Sequence, residues 1–133
     1  MSDPVFLDVE DVLLMHEEQL AVYGGAAGVR DAALLESAIG MPRATAGAEF
    51  AHEDLFAMAA AYAFHIAQNQ PFVDGDKRTG LLAAIVFLDL NGVAIRDPGG
   101  QLYAAMIAVA ERRMDKTGLA GTVRGLSSSV IGS

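Results

Sequence analysis

The chain has 133 residues, 53% of them apolar and 20% charged, which excludes a disordered chain and leaves room for one domain with a real core. Nine lysines and arginines face seventeen aspartates and glutamates, a formal net charge of −8 that argues against a broad nucleic-acid surface and against adhesion to an anionic membrane. The absence of cysteine excludes disulfides, thiolate chemistry and cysteine-ligated zinc.

The pattern is helical almost throughout, helped by abundant alanine. Asp8 reads as an N-cap, with Asp11 standing in for the glutamate of a capping box. Val9, Val12, Leu13, His16 and Leu20 then follow at helical spacing, and Gly24-Gly25 stops the helix. After a loop over 26–29, Arg30-Asp31 opens a short helix whose apolar side carries Leu34, Leu35, Ala38 and Ile39, ended by Gly40 and Pro42. Residues 41–51 have no clean period and read as a loop or short hairpin. A strong helix over 53–69 follows, apolar most of the way round and therefore expected to be buried on several sides.

Pro71 and Gly75 punctuate the next segment, and Asp76 is expected to cap a second very apolar helix to about Leu90. Asn91-Gly92 ends it. Residues 93–95 read as a short extended piece, Asp97-Pro98 as the start of a helix, and 115–124 as the last helix. The serine- and glycine-rich segment 125–133 is expected to fray. The fold expected is all-α: a single domain over 1–133, a compact bundle around the hairpin formed by the helices at 53–69 and 76–90. The acidic first ten residues lack a basic region followed by an apolar run, and the apolar run Leu81–Leu88 is far short of a membrane span. A cytoplasmic protein is expected, with neither nucleic acid nor membrane as partner.

The stretch that carries chemistry is Gln70-Pro71-Phe72-Val73-Asp74-Gly75-Asp76-Lys77-Arg78-Thr79-Gly80. A glycine-containing turn leads straight into a helix N-terminus, whose unpaired N–H groups and partial positive charge suit phosphate. Lys77 and Arg78 in the first turn oppose the helix dipole, a poor choice for stability alone and a good one for holding an anion. Asp74 beside them can ligate Mg2+, which takes oxygen ligands and bridges to substrate phosphates. Phe72 is expected to anchor the turn in the core. A turn of this composition also occurs as a plain solvated loop; its placement at the mouth of an apolar helix hairpin, where pockets form, favours a site.

These residues resemble the signature of the Fic/Doc superfamily, His-Pro-Phe-x-Asp/Glu-Gly-Asn-Lys/Gly-Arg. The resemblance covers most of the chain. Leu7–Leu13, Tyr23-Gly24-Gly25, Gly28–Asp31 with Leu34–Ala38, and Phe87-Leu88-x-Leu90-Asn91-Gly92 all resemble the death-on-curing (Doc) branch. Lys77, where nucleotidylating relatives carry glycine, and Leu81, where they carry a second arginine, point the same way. The resemblance implies an all-helical fold and nucleotide-dependent modification of a protein hydroxyl. Doc-like toxins phosphorylate elongation factor Tu, Fic-type relatives transfer AMP, and Doc toxins pair with a Phd-like antitoxin. By motif position Asp74 would hold Mg2+, Gly75 and its neighbouring amides would cradle phosphate, and Lys77 and Arg78 would bind the phosphates of ATP or another nucleotide and offset transition-state charge. The loop at 41–51 aligns with the flap that pins the target peptide beside the site.

Two residues depart from that signature. The catalytic histidine falls on Gln70, whose amide can orient a group but takes no proton near neutral pH. Asp76 replaces an asparagine that contacts phosphate, adding a carboxylate that either repels phosphate or strengthens metal binding together with Asp74. His65 and His16 read as helix-face and core residues, and His52 as a surface residue; none matches the signature position. Arg112, Arg113 and Lys116 read as a solvated basic face, and Arg30 with Asp31 as a brace for the second helix, with an antitoxin contact the alternative for Arg30. Three readings follow: a Doc-like kinase with activity reduced by Gln70, a silent Doc-like binding protein or regulator, and an AMP transferase.

Overall fold

The computed structural model describes residues 3–129. Six helices dominate it: α1 (Val9–Tyr23), α2 (Ala32–Gly40), α3 (Leu55–Asn69), α4 (Asp76–Leu90), α5 (Gln101–Ala110) and α6 (Lys116–Leu126). A 3-10 turn (Met41–Arg43) and the two-residue strands β1 (Thr45–Ala46) and β2 (Glu49–Phe50) link α2 to α3. The remaining strands, β3 (Val93–Ile95) and β4 (Ser127–Ser129), pair antiparallel with Val93 opposite Ser129. The all-α expectation holds, with two small ribbons added.

Aspartates set four of the helix starts. Asp8 accepts from the Asp11 amide while Asp11 accepts from the Asp8 amide, a complete capping box. Asp31, Asp54 and Asp115 cap α2, α3 and α6 by accepting from Leu34, Ala57 and Gly118 N–H. Each such cap contributes about 1 kcal/mol. Asp97 does the same at a distance: its carboxylate takes the amides of Gln101 and Leu102, so α5 starts at Gln101 rather than at the Asp97-Pro98 pair.

α3 is the centre of the molecule and packs against α2, α4, α5 and α6. Residues Met58 to Ala63 are buried without interruption, as an all-round apolar helix requires. Small residues let its backbone come close to α4: a Cβ added at Gly80 would lie 3.0 Å from the Ala63 carbonyl oxygen. Tyr62, fully buried, packs on Phe87 and accepts the Leu7 amide at 2.8 Å, which ties the N-terminal strap to α3. Burying a side chain of this size contributes about 1.5–3 kcal/mol.

Three expectations change. The tail does not fray at residue 125: α6 runs to Leu126 and residues 127–129 join β3, while 130–133 lie outside the described residues. β4 answers the open N–H and C=O groups of β3, a pairing that a serine run does not advertise. The 41–51 segment is indeed a hairpin, but not beside the glycine turn. Phe50 meets Phe6 edge-on at 5.5 Å and Phe6 stacks on Phe87, so the hairpin sits at the C-terminal end of α4. Finally, the 112–116 basic cluster is not one solvated face. Arg113 pairs with Glu111 at 2.6 Å, whereas Lys116 reaches inward to His52 and His65 at 3.1 and 3.3 Å. His52 is accordingly half-buried rather than a surface residue.

Candidate active site

The glycine turn is built between the end of α3 and the start of α4. Gln70 closes α3 in the left-handed region, φ 49° and ψ 55°, unusual for a residue with a side chain. Arg30 holds it there, donating from Nε to the Gln70 carbonyl at 2.7 Å and from the guanidinium to the Asn69 carbonyl at 2.8 Å. A cation on the last carbonyls of a helix also suits its dipole. Arg30 therefore braces α3, not α2, and Asp31 alone caps α2.

A second strap fixes the turn itself. Val29 and Phe72 form an antiparallel bridge, the Val73 amide donates to the Gly28 carbonyl, and the Pro71 carbonyl accepts from Arg30 and Asp31. Phe72 is 1% exposed, as expected of an anchor, and stacks on the His16 ring at 3.8 Å with the planes 7° apart. His16 Nε2 lies 2.8 Å from the Asp74 carbonyl oxygen and so carries the proton. His16 is thus the satisfied core residue the sequence suggested, placed directly under the signature.

Above Phe72 the chain enters α4. Gly75 sits at φ 83° as its N-cap and no side chain caps this end, so the first-turn amides have no side-chain acceptor among the described residues, an arrangement that suits an anion. Asp76 does not cap the helix as expected. It is the first helical residue, and its Oδ1 turns back to accept the Phe72 amide at 3.0 Å. Burial raises its pKa above the ordinary carboxylate value, against the pull of the Phe72 amide and of His16, Arg30 and Lys77.

Asp74, Gly75, Asp76, Lys77 and Arg78 come together around one cavity of about 380 Å³, completed by Tyr23, Gly24, Gly25 and Tyr103. Arg78 is held by two aromatic rings, its guanidinium carbon 3.7 Å from the Tyr23 ring centre and 4.3 Å from that of Tyr103. That grip fixes the guanidinium plane and leaves its N–H edge for an anion. Lys77 is exposed and makes no ion pair among the described residues. Gln70 does not line the cavity. It is exposed beside it, and its side-chain amide has no hydrogen-bond partner among the described residues.

The carboxylate of Asp74 is exposed at the cavity. One oxygen accepts the Gly75 amide at 2.9 Å and the other the Ala26 amide at 3.3 Å, leaving further lone pairs on both. Among the described residues no group of three or more metal-ligating side chains exists. Mg2+ nonetheless needs only one or two carboxylates when phosphate and water supply the rest, so Asp74 fits the role alone. Asp76 fits it poorly, because burial disfavours its charged form.

Three contributors escaped the sequence reading. Tyr23 had a signal, an aromatic residue closing a helix just before Gly24-Gly25. Tyr103 had none, because α5 follows the signature by more than twenty residues and only packing returns it to the site. Gly25 faces the site because a Cβ there would lie 2.9 Å from Asp74 Oδ2.

A family model described as Fic/DOC family matches residues 6–88. The chain belongs to the Fic/DOC family. The match takes in α1, α2 and α3, the glycine turn and nearly all of α4. Within this Fic/DOC chain, Tyr103 therefore enters the site from outside the matched region. Two relatives place the chain in the death-on-curing branch of the Fic/DOC family. It is 41% identical over 90 residues to "Toxin Doc" of Mycolicibacterium smegmatis, covering 68% of this chain and 67% of that protein. It is 32% identical over 120 residues to "Protein kinase doc" of Escherichia phage P1, covering 90% of this chain and 94% of that protein.

Proposed function

We propose that this chain is a Doc-like toxin of a toxin–antitoxin pair that transfers the γ-phosphate of ATP to a hydroxyl of a translation protein, elongation factor Tu being the first candidate, with turnover reduced by Gln70. The observation that carries the reading is the convergence of Asp74, Gly75, Lys77 and Arg78 on one cavity at an uncapped helix start. Similarity across 94% of a protein named for kinase activity supports it. The open amides of α4 would take phosphate oxygens, and Lys77 and the clamped Arg78 would offset the charge that spreads over the phosphoryl oxygens during transfer. Asp74 would hold Mg2+, which when bound neutralises phosphate charge. Gln70 would orient the acceptor hydroxyl without removing its proton. The strap at residues 24–30, whose Val29 is exposed and bridges to Phe72, would take the role expected of the hairpin next to the acceptor. A Phd-like antitoxin is the expected partner, and the cytoplasm the expected location; no helix among the described residues is long and apolar enough to cross a membrane.

A second reading rests on Gln70 itself: a silent Doc-like protein that binds nucleotide or antitoxin without turnover. One experiment separates the two. The chain and its Gln70→His variant are given γ-labelled and, separately, α-labelled ATP with Mg2+ and elongation factor Tu. Transfer of the γ label by the unaltered chain supports the kinase, and transfer of the α label instead supports AMP transfer. If only Gln70→His transfers label while calorimetry shows that both chains bind ATP, the silent reading holds. Growth arrest on expression, relieved by a Phd-like protein, tests the pairing.

A further inference from the structure

A second cavity, of about 880 Å³, lies where the N-terminal strap, β2, the start of α3 and the end of α4 meet. It is more than twice the size of the cavity at the glycine turn, about 380 Å³. It sits at the other end of the α3–α4 hairpin. α3 is 15 residues long, so about 22 Å of helix separates the two. Nothing in the phosphate chemistry described above uses it.

Its walls are apolar and its rim is acidic. Val5 and Leu90 keep 54% and 51% of their surface open, beside the half-buried Phe50 and Leu55. Asn91 pins Val5 through two hydrogen bonds, accepting the Val5 amide at 2.8 Å and donating to its carbonyl at 2.9 Å, so this wall is preformed. Asp3, Glu49, Glu53 and Asp54 line the same cavity, and no lysine or arginine does. Asp54 is partly answered by Arg124 at 3.0 Å. Asp3, Glu49 and Glu53 make no ion pair among the described residues. Like charges gathered around open apolar surface oppose each other in the free protein and are relieved by cations from outside.

We propose that this groove docks a short basic segment of a partner protein, its apolar side chains on Val5 and Leu90 and its lysines or arginines on the acidic rim. The occupant follows from charge complementarity: an acidic or neutral segment would leave the rim unanswered. The proposal does not rest on the kinase reading, because the groove and the glycine turn share no lining residue.

The test uses a fluorescein-labelled hexapeptide alternating arginine with leucine, and its glutamate-for-arginine counterpart, read by anisotropy on the full chain. The arginine peptide binds and the glutamate peptide does not. The double variant Glu49→Lys/Glu53→Lys weakens binding by about tenfold or more. Glu17→Lys/Glu18→Lys, the same charge change on exposed positions of α1, leaves binding within about twofold. Leu90→Ser weakens it several-fold without changing its salt dependence. Circular dichroism melting confirms that all variants fold. Equal loss in both lysine doubles reduces the effect to bulk charge and overturns the proposal. No binding, or displacement of the peptide by ATP–Mg2+, overturns it as well. A concentration-dependent dimer abolished by Glu49→Lys/Glu53→Lys assigns the groove to a second copy and overturns the basic-segment occupant.

Discussion

Arg78 shows how one side chain can be fixed without an ion pair. Two tyrosine faces hold its guanidinium, one from the end of α1 and one from α5. Cation–π contact needs the ring and not the hydroxyl. Tyr103→Phe is therefore expected to keep ATP affinity within about twofold, whereas Tyr103→Leu should weaken it about three- to tenfold, as calorimetry would measure. Asp76 makes the opposite case, a carboxylate whose charged form burial disfavours. Asp76→Asn keeps an acceptor for the Phe72 amide and removes the charge. Thermal melting should show stability equal to or up to about 1 kcal/mol above the parent, and ATP should bind more tightly, because a negative charge beside phosphate is gone. A fall in both would show that Asp76 holds the site by its charge. Gln70, at φ 49°, carries a strain that glycine would not. Gln70→Gly is expected to stabilise the fold by about 1 kcal/mol in urea titration, evidence that this position is held for its side chain at the cost of backbone ease.

At the scale of elements, the α3–α4 pair depends on close approach. The Cβ of a Gly80→Ala variant would press on the Ala63 carbonyl at 3.0 Å, its Cα at 3.3 Å and the Met106 methyl at 3.2 Å. Two of these atoms are backbone and cannot turn away. A loss of about 1–3 kcal/mol is expected from denaturant unfolding, and an unchanged midpoint would show that the helices can part freely. The helices were legible in the sequence because apolar period and aspartate caps agreed. Asp8 and Asp31 each precede a helical run, whereas Asp54, the cap of α3, lies inside the 53–69 span that the apolar pattern suggests, and Asp76 is the first residue of α4 rather than its cap. The signature was legible as a phosphate turn because its residues are contiguous. What was not legible is what arrives from elsewhere. Arg30 lies forty positions before the carbonyl it holds, and Tyr103 has no pattern of its own. The hairpin at 45–50 was recognisable as a hairpin, yet only Phe6 and Phe87 decide where it packs.

For the molecule as a whole, acidity is the condition that exposes a weak point. Lys116 opens α6, where a cation opposes the helix dipole, and its ammonium is taken by His52 and His65. Both imidazoles accept through Nε2, so each carries its proton on Nδ1, and that of His52 is buried without a partner among the described residues. Burial first, and then the Lys116 charge, lower both pKa values, His65 to about 4 from 6.5. A histidine whose folded pKa lies below its unfolded value takes up its proton more readily in the unfolded chain. Stability is therefore full above 6.5 and falls as pH drops towards 4. Melting temperature should decline from about pH 6.5 downward, and His65→Gln should flatten that decline over the upper part of the window, where carboxylates have barely begun to titrate. An equal slope in the variant would remove the cluster as its cause. The −8 formal charge has a related consequence. It is not evenly spread: three acids that make no ion pair among the described residues surround the larger groove, while Lys77 and Arg78 stand together at the other end of the same helix pair.

The strap over residues 25–30 also changes how loss of function would map genetically. If expression of the chain arrests growth as proposed, and colonies are selected for survival, damage should not be confined to the signature. Any side chain at Gly25 must displace the Asp74 carboxylate and tolerate φ 117°. Any residue in place of Arg30 frees the carbonyls of Asn69 and Gln70. Escape mutations should therefore fall in two windows about forty positions apart, and a recombination map would read as two loci what the folded chain presents as one.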